Sequence, residues 1–112
     1  MTGTGGRVTA TDVFAALGDP TRRQLLELIG EHAGGASASA LAGRMPISRQ
    51  AVTQHLAVLE EARLVARARR GREVMYTVQP EEIAEAAAWL SVRASCWRDR
   101  LDALRAEAES GV

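Results

Sequence analysis

At 112 residues, with 46% hydrophobic content but only 4% aromatic, the chain suits one domain whose core is built largely from Ala, Leu and Val. A single cysteine, Cys96, excludes an intramolecular disulfide, and the sequence holds neither an apolar run long enough to cross a membrane nor a signal-peptide core, so a soluble cytoplasmic protein is expected. Net charge is zero, yet Arg44 to Arg72 holds seven arginines against Glu60 and Glu61, whereas the segment from Glu73 onward holds four arginines against eight acids. A basic middle beside an acidic tail prepares one surface for an anion.

Residues 1–8, MTGTGGRV, contain three glycines and little to bury, and are expected to form a disordered arm. The domain proper is expected over 9–110. Thr9 or Thr11 caps a short first helix reaching about Leu17, with Val13, Phe14 and Leu17 as its apolar side. Gly18 ends it. Asp19-Pro20 then starts a second helix, Asp as N-cap and Pro at the first helical position, where its missing N–H costs nothing. That helix runs to about His32 with Leu25, Leu26, Leu28 and Ile29 as its core face, and Gly34-Gly35 breaks the chain. Arg22 and Arg23, in its first turn, are expected either to meet phosphate or to lie on a solvated face.

Ser37 caps a third helix with Ala40, Leu41 and Met45 turned inward, and Pro46 stops it. A short connection leads to Ser48, which caps a fourth helix over 48–62, SRQAVTQHLAVLEEA. Two helices joined by so short a turn form a helix-turn-helix unit. At 100° per residue, Ala51, Val52, Leu56, Val58 and Leu59 fall on one arc, with Ile47 and Val52 placed as a hydrophobic staple. Arg49, Gln50, Thr53 and Gln54 fall on the other. Arg can donate two bonds to guanine and Gln can exchange two with adenine. This outward face has no carboxylate until Glu60 and Glu61, as expected of a surface that approaches phosphates. His55 is expected to pack beneath the helix and not to touch bases.

After Ala62 the hydrophobic period changes to two. Leu64–Arg70 and Val74–Val78 read as strands joined through Gly71. The hairpin tip, 69–73, carries Arg69, Arg70 and Arg72 and is expected to act as a wing on the phosphate backbone or in a narrow minor groove. The last helix is expected over 80–110. Ile83, Ala87, Leu90, Ala94, Trp97, Leu101, Leu104 and Ala108 alternate spacings of four and three, a heptad seam. So long a seam exceeds what a small domain can cover, so Ile83, Leu90, Trp97, Leu101 and Leu104 are expected to bury against a second copy. Two-fold symmetry then sets two reading helices roughly 34 Å apart, in successive major grooves. Trp89 and Trp97 are read as interface anchors. Cys96 lies off the seam; it is read as a half-buried small hydrophobe, with a redox switch as the sharper alternative.

The expected fold is therefore mainly α with a small β-hairpin, in the order α-α-α-α-β-β-α. The segments VFAALGDPTRRQLLELI (13–29), SRQAVTQHLAVLEEARLV (48–65) and RRGREVMYTV (69–78) together resemble the winged helix-turn-helix repressors of the ArsR/SmtB family. The resemblance covers roughly Val13 to Ala108. It implies a homodimeric repressor of its own operon that binds double-stranded DNA. It also implies that Ser48, Arg49, Gln50, Thr53 and Gln54 contact DNA from the fourth helix, and Arg70 and Arg72 from the wing. One departure is local: many members end the reading helix with Ala-Gly-Leu-Val, whereas this chain has Ala62-Arg63-Leu64-Val65. Arg63 must then take a costly backbone conformation or the helix must end differently.

A second departure concerns metal. Metal-sensing members place a Cys-x-Cys pair near the third helix or Asp and His on the last. Here Ala38 to Arg44 holds no thiol, the last helix no histidine, and His32 and His55 lie apart, so no metal site and no cofactor is expected. A small-molecule inducer, if the protein has one, is expected between the first and last helices, where Trp97 and many alanines leave room. The alternative function is a winged-helix protein-interaction module without a specific DNA site. An enzyme is not expected, since the sequence offers no Ser/His/Asp set, no glycine-rich phosphate loop and no carboxylate pair in a plausible cleft.

Overall fold

A computed structural model describes residues 7–111. The expected arm over 1–8 falls mostly outside them, though its last member, Val8, packs against the core. Among the described residues no helix is long and apolar enough to cross a membrane.

The first helix, α1, spans Ala10–Leu17. Thr9 caps it in a reciprocal box: its hydroxyl accepts from the Asp12 N–H while the Asp12 carboxylate accepts from the Thr9 N–H. Val13 and Ala16 are buried, whereas Phe14 stays exposed on the domain. Helix α2, Pro20–Gly30, starts on the Asp19 cap as its sequence requires, and it buries Leu25, Leu28 and Ile29. A two-residue strand, β1 (Ala36–Ser37), follows, and then α3 (Ala38–Ala42) on the Ser37 cap. Leu41 and Met45 turn inward as expected; Ala40 does not, and Ala38 takes the half-buried place.

Helix α4 spans Arg49–Glu61, and the wing strands β2 and β3 span Val65–Arg70 and Glu73–Val78. They pair antiparallel from Val65 opposite Val78 to Arg70 opposite Glu73, leaving Gly71-Arg72 as a two-residue turn. Gly71 has φ 63° and Arg72 is not left-handed, the pattern of a type II′ hairpin turn, which asks for Gly first. The sequence did not disclose β1. It pairs with β3 on the edge away from β2, so the sheet has three strands in the order β1-β3-β2. Gly35 makes this possible: it has φ 91°, and a Cβ there would sit 2.7 Å from the Tyr76 carbonyl oxygen.

Helix α5, Glu81–Ser110, is 30 residues long and buries only Ala86. Ile83 packs on the core of its own chain. Trp89 meets Phe14 edge-on and carries the Arg93 guanidinium 4.6 Å over its ring. From Ala87 onward every described residue is exposed, Cys96 among them and not half-buried as expected. The helix therefore leaves the domain. The radius of gyration is 19.2 Å and the longest extent 72 Å, whereas a compact chain of this length would have a radius of about 13 Å.

Candidate DNA-binding surface

Ser48 sets the start of α4. Its extended backbone turns the chain out of the Met45–Ile47 connection, and its hydroxyl accepts from the Ala51 N–H at 3.0 Å. Val52, Leu56 and Leu59 then lie at the centre of the core, which fixes the rotation of the helix about its axis. That rotation leaves Ser48, Arg49, Gln50, Thr53 and Gln54 exposed together along one side. The Thr53 hydroxyl donates to the Arg49 carbonyl at 3.0 Å. Val58, assigned to the apolar arc, is exposed instead.

The far end of α4 is built as a Schellman motif. The Leu64 N–H donates to Leu59 O and the Arg63 N–H to Glu60 O, both at 2.9 Å. Leu59 and Leu64 are both fully buried, as the hydrophobic contact of this motif requires. Arg63 sits at the left-handed position with φ 60°, so the costly backbone anticipated from the sequence is the one adopted. The motif turns the chain sharply into β2 and thereby places the wing beside α4.

On the wing, residues opposite one another share a face. Arg67, opposite Tyr76, is on the core side and forms an ion pair with Glu60 at 3.2 Å, tying β2 to the end of α4. Arg69 shares that face by alternation. Arg72 is exposed in the turn. Arg70 is on the other face, and its guanidinium reaches Gly34, within 3.4 Å of where a Cβ would stand. Arg67 is thus matched by Glu60 and lines a hollow with Glu81 and Glu82.

Arg22 is partly buried and does not lie on a solvated face, whereas Arg23 is exposed. The tight Gly18-Asp19-Pro20 corner folds them back over the end of α1. Arg22 Nε donates to Ala16 O at 2.6 Å and Nη2 to Ala15 O at 3.2 Å, while Arg23 Nη1 donates to Leu17 O at 2.7 Å. Both close carbonyls that the helix end leaves open. His55 is half-buried beneath α4, its Nδ1 3.4 Å from Arg22 Nη1. Asp19 accepts from the N–H groups of Thr21 and Arg22, at 2.7 and 3.3 Å. The Thr21 N–H is the main cause that holds its carboxyl below the usual range, with lesser help from the Arg22 N–H and charge.

Of the expected interface residues, Ile83 belongs to the domain core, while Leu90, Trp97, Leu101 and Leu104 are 50%, 66%, 56% and 57% exposed. Among the described residues no group of three or more His, Cys, Asp or Glu is placed to hold a metal ion.

Four helices, the last two forming a helix-turn-helix, followed by a two-strand wing and a closing helix, define a winged helix-turn-helix protein. A family model described as a helix-turn-helix domain matches residues 17–68. The fold is similar to that of an ArsR-like transcriptional regulator from Rhodococcus sp. RHA1, with a TM-score of 0.77 and 39% identity, covering 85% of this chain and 88% of that one. A possible transcriptional regulator for arsenical resistance is similar at a TM-score of 0.65 and 38% identity, covering 86% of this chain and 95% of that one. The transcriptional repressor SdpR of Bacillus subtilis is 29% identical over 79 residues, which is 70% of this chain and 86% of the repressor. The chain belongs to the ArsR family of winged-helix, DNA-binding transcriptional regulators.

Proposed function

We propose that the protein is a dimeric autorepressor that works in the cytoplasm on a palindromic operator. The observation that carries the reading is the exposed side of α4, where Arg49, Gln50, Thr53 and Gln54 stand together with no carboxylate among them. The Arg and Gln side chains read base edges in the major groove, with Ser48 and Thr53 beside them. Arg70 and Arg72 hold the wing to the backbone or minor groove.

The α5 seam supplies the second half of the reading. A soluble single chain rarely leaves a row such as Leu90, Trp97, Leu101 and Leu104 uncovered. A second copy covers it, and two-fold symmetry then doubles the reading surface. Metal plays no part, and the protein is not an enzyme. An inducer, where one acts, enters the open cleft of about 600 Å³ between the N-terminal segment, α1 and α5, against Glu81, Glu85, Trp89 and Arg93. Footprinting on the region upstream of the gene tests the reading. A symmetric protected site whose affinity falls with rising salt is expected. Equal affinity for that region and for random duplex would instead favour a protein-interaction module.

A further inference from the structure

The Arg22 side chain is only 18% exposed, and all three of its nitrogens are engaged. Two bond the Ala15 and Ala16 carbonyls in the last turn of α1, and the third faces the His55 ring of α4 at 3.4 Å and the Asp19 carboxylate at 3.7 Å. An Nδ1 that accepts from Arg22 leaves the ring proton on Nε2. One planar cation thus joins three helices. On one side is α1, fastened to α5 through Phe14 and Trp89; on the other is the helix that presents Arg49, Gln50 and Gln54.

His55 sits on the buried side of α4, one residue beyond Gln54 and one before Leu56. Val52, Leu56 and Leu59 set which side of α4 faces the core, but apolar contacts are not directional, so fine adjustments of roll and slide are left to polar contacts. A hydrogen bond is directional, so the Arg22–His55 contact is suited to fix how α4 is rolled and slid against α1. Direct readout needs that orientation, because bidentate base contacts fail with small displacements of their side chains.

We infer that Arg22 is a positioning residue for DNA reading: through His55 it locks the reading helix to the α1–α5 frame without touching DNA. This rests on α4 being the reading helix. Lys cannot replace it, since one ammonium cannot span two carbonyls and the ring in a fixed fork.

The test begins with a duplex that the wild-type chain enriches from a randomised pool, and a scrambled version of it. The readouts are the affinity ratio for the two duplexes, the salt dependence of binding and the thermal midpoint. Arg22→Ala and Arg22→Lys are expected to lower the affinity ratio on the order of tenfold. His55→Leu, which keeps the Arg22 bonds to α1 and the bulk of the ring, is expected to lower it too. The double variant Arg22→Ala with His55→Leu should be no worse than Arg22→Ala alone. His55→Asn, which returns an acceptor near the Nδ1 position, should restore the ratio. The salt slope should stay at its wild-type value in all of them, because no phosphate contact is lost.

A slope reduced by about one in Arg22→Ala would mean that Arg22 grips a phosphate and would overturn the inference. So would a lowered midpoint with an unchanged ratio, or losses that simply add in the double variant. A wild-type chain that enriches no duplex would overturn the reading role of α4 itself and the inference with it. Enrichment by wild type with unchanged ratios in the variants would overturn the inference alone.

Discussion

Phe14 and Trp89 meet edge to face, with ring centroids 6.0 Å apart and planes inclined by 64°. This is the last firm hold that the domain has on α5 before the helix departs. A double-mutant cycle with Phe14→Leu and Trp89→Leu should return a coupling of about 1 kcal/mol, measured by urea unfolding at fixed protein concentration. A coupling near zero would mean that the ring contact does not fasten the helix.

The left-handed Arg63 should be detectable as backbone strain. Comparing Arg63→Gly with Arg63→Ala removes the side chain in both cases and leaves the φ of 60° as the difference. The Gly variant should be more stable than the Ala variant by about 1 kcal/mol. Equal stabilities would mean that α4 ends differently.

Two glycines with positive φ should behave unequally. At Gly71 a Cβ meets nothing within 4 Å, so Gly71→Ala carries only the backbone cost, about 1 kcal/mol. At Gly35 the added carbon also drives into Tyr76 O and the Thr77 side chain. Gly35→Ala should therefore cost about 3 kcal/mol. Denaturant midpoints for the two variants, at constant m-value, decide this.

The exposed row on α5 leads to a prediction about assembly. Replacing Leu101 and Leu104 together by Glu puts charge into the proposed seam, far from any core residue. Sedimentation should show the variant as a single chain under conditions where wild type is a dimer. Affinity for a palindromic duplex should fall on the order of a hundredfold, the avidity lost when two sites become one. An unchanged sedimentation coefficient would disprove the seam.

Acid should weaken the start of α2. The Asp19 pKa is depressed in the folded chain below its ordinary 3.8, first by the Thr21 N–H. Such a group stabilises fully above its unfolded pKa, and the stabilisation is lost as pH falls through the folded one. Asp19→Asn keeps a capping oxygen but does not titrate. Its stability should therefore decline less steeply than that of wild type below pH 3.8.

The parts of the molecule that were legible in advance are those in which local chemistry and burial agree. Thr9, Asp19, Ser37 and Ser48 each cap the helix that their spacing announces. The α4 arc was legible because Val52, Leu56 and Leu59 have only one way to be buried at once. The strand β1 was not, because two residues carry no period, and its pairing depends on Tyr76 and Met75 some forty positions away. The capping by Arg22 and Arg23 was hidden for a different reason. Arginine spacing shows where charge is, but not that a Gly-Asp-Pro corner folds it back over carbonyls.

The departure of α5 from its domain has a consequence for how long each molecule survives. Most of a helix's stability in a protein comes from the packing of its apolar face, and past Ala87 a single chain offers this helix almost none. A newly made chain that finds no companion would be trimmed there and removed, whereas an associated one would be shielded. Turnover would then fall first on single chains, and the proposed dimer would outlast them.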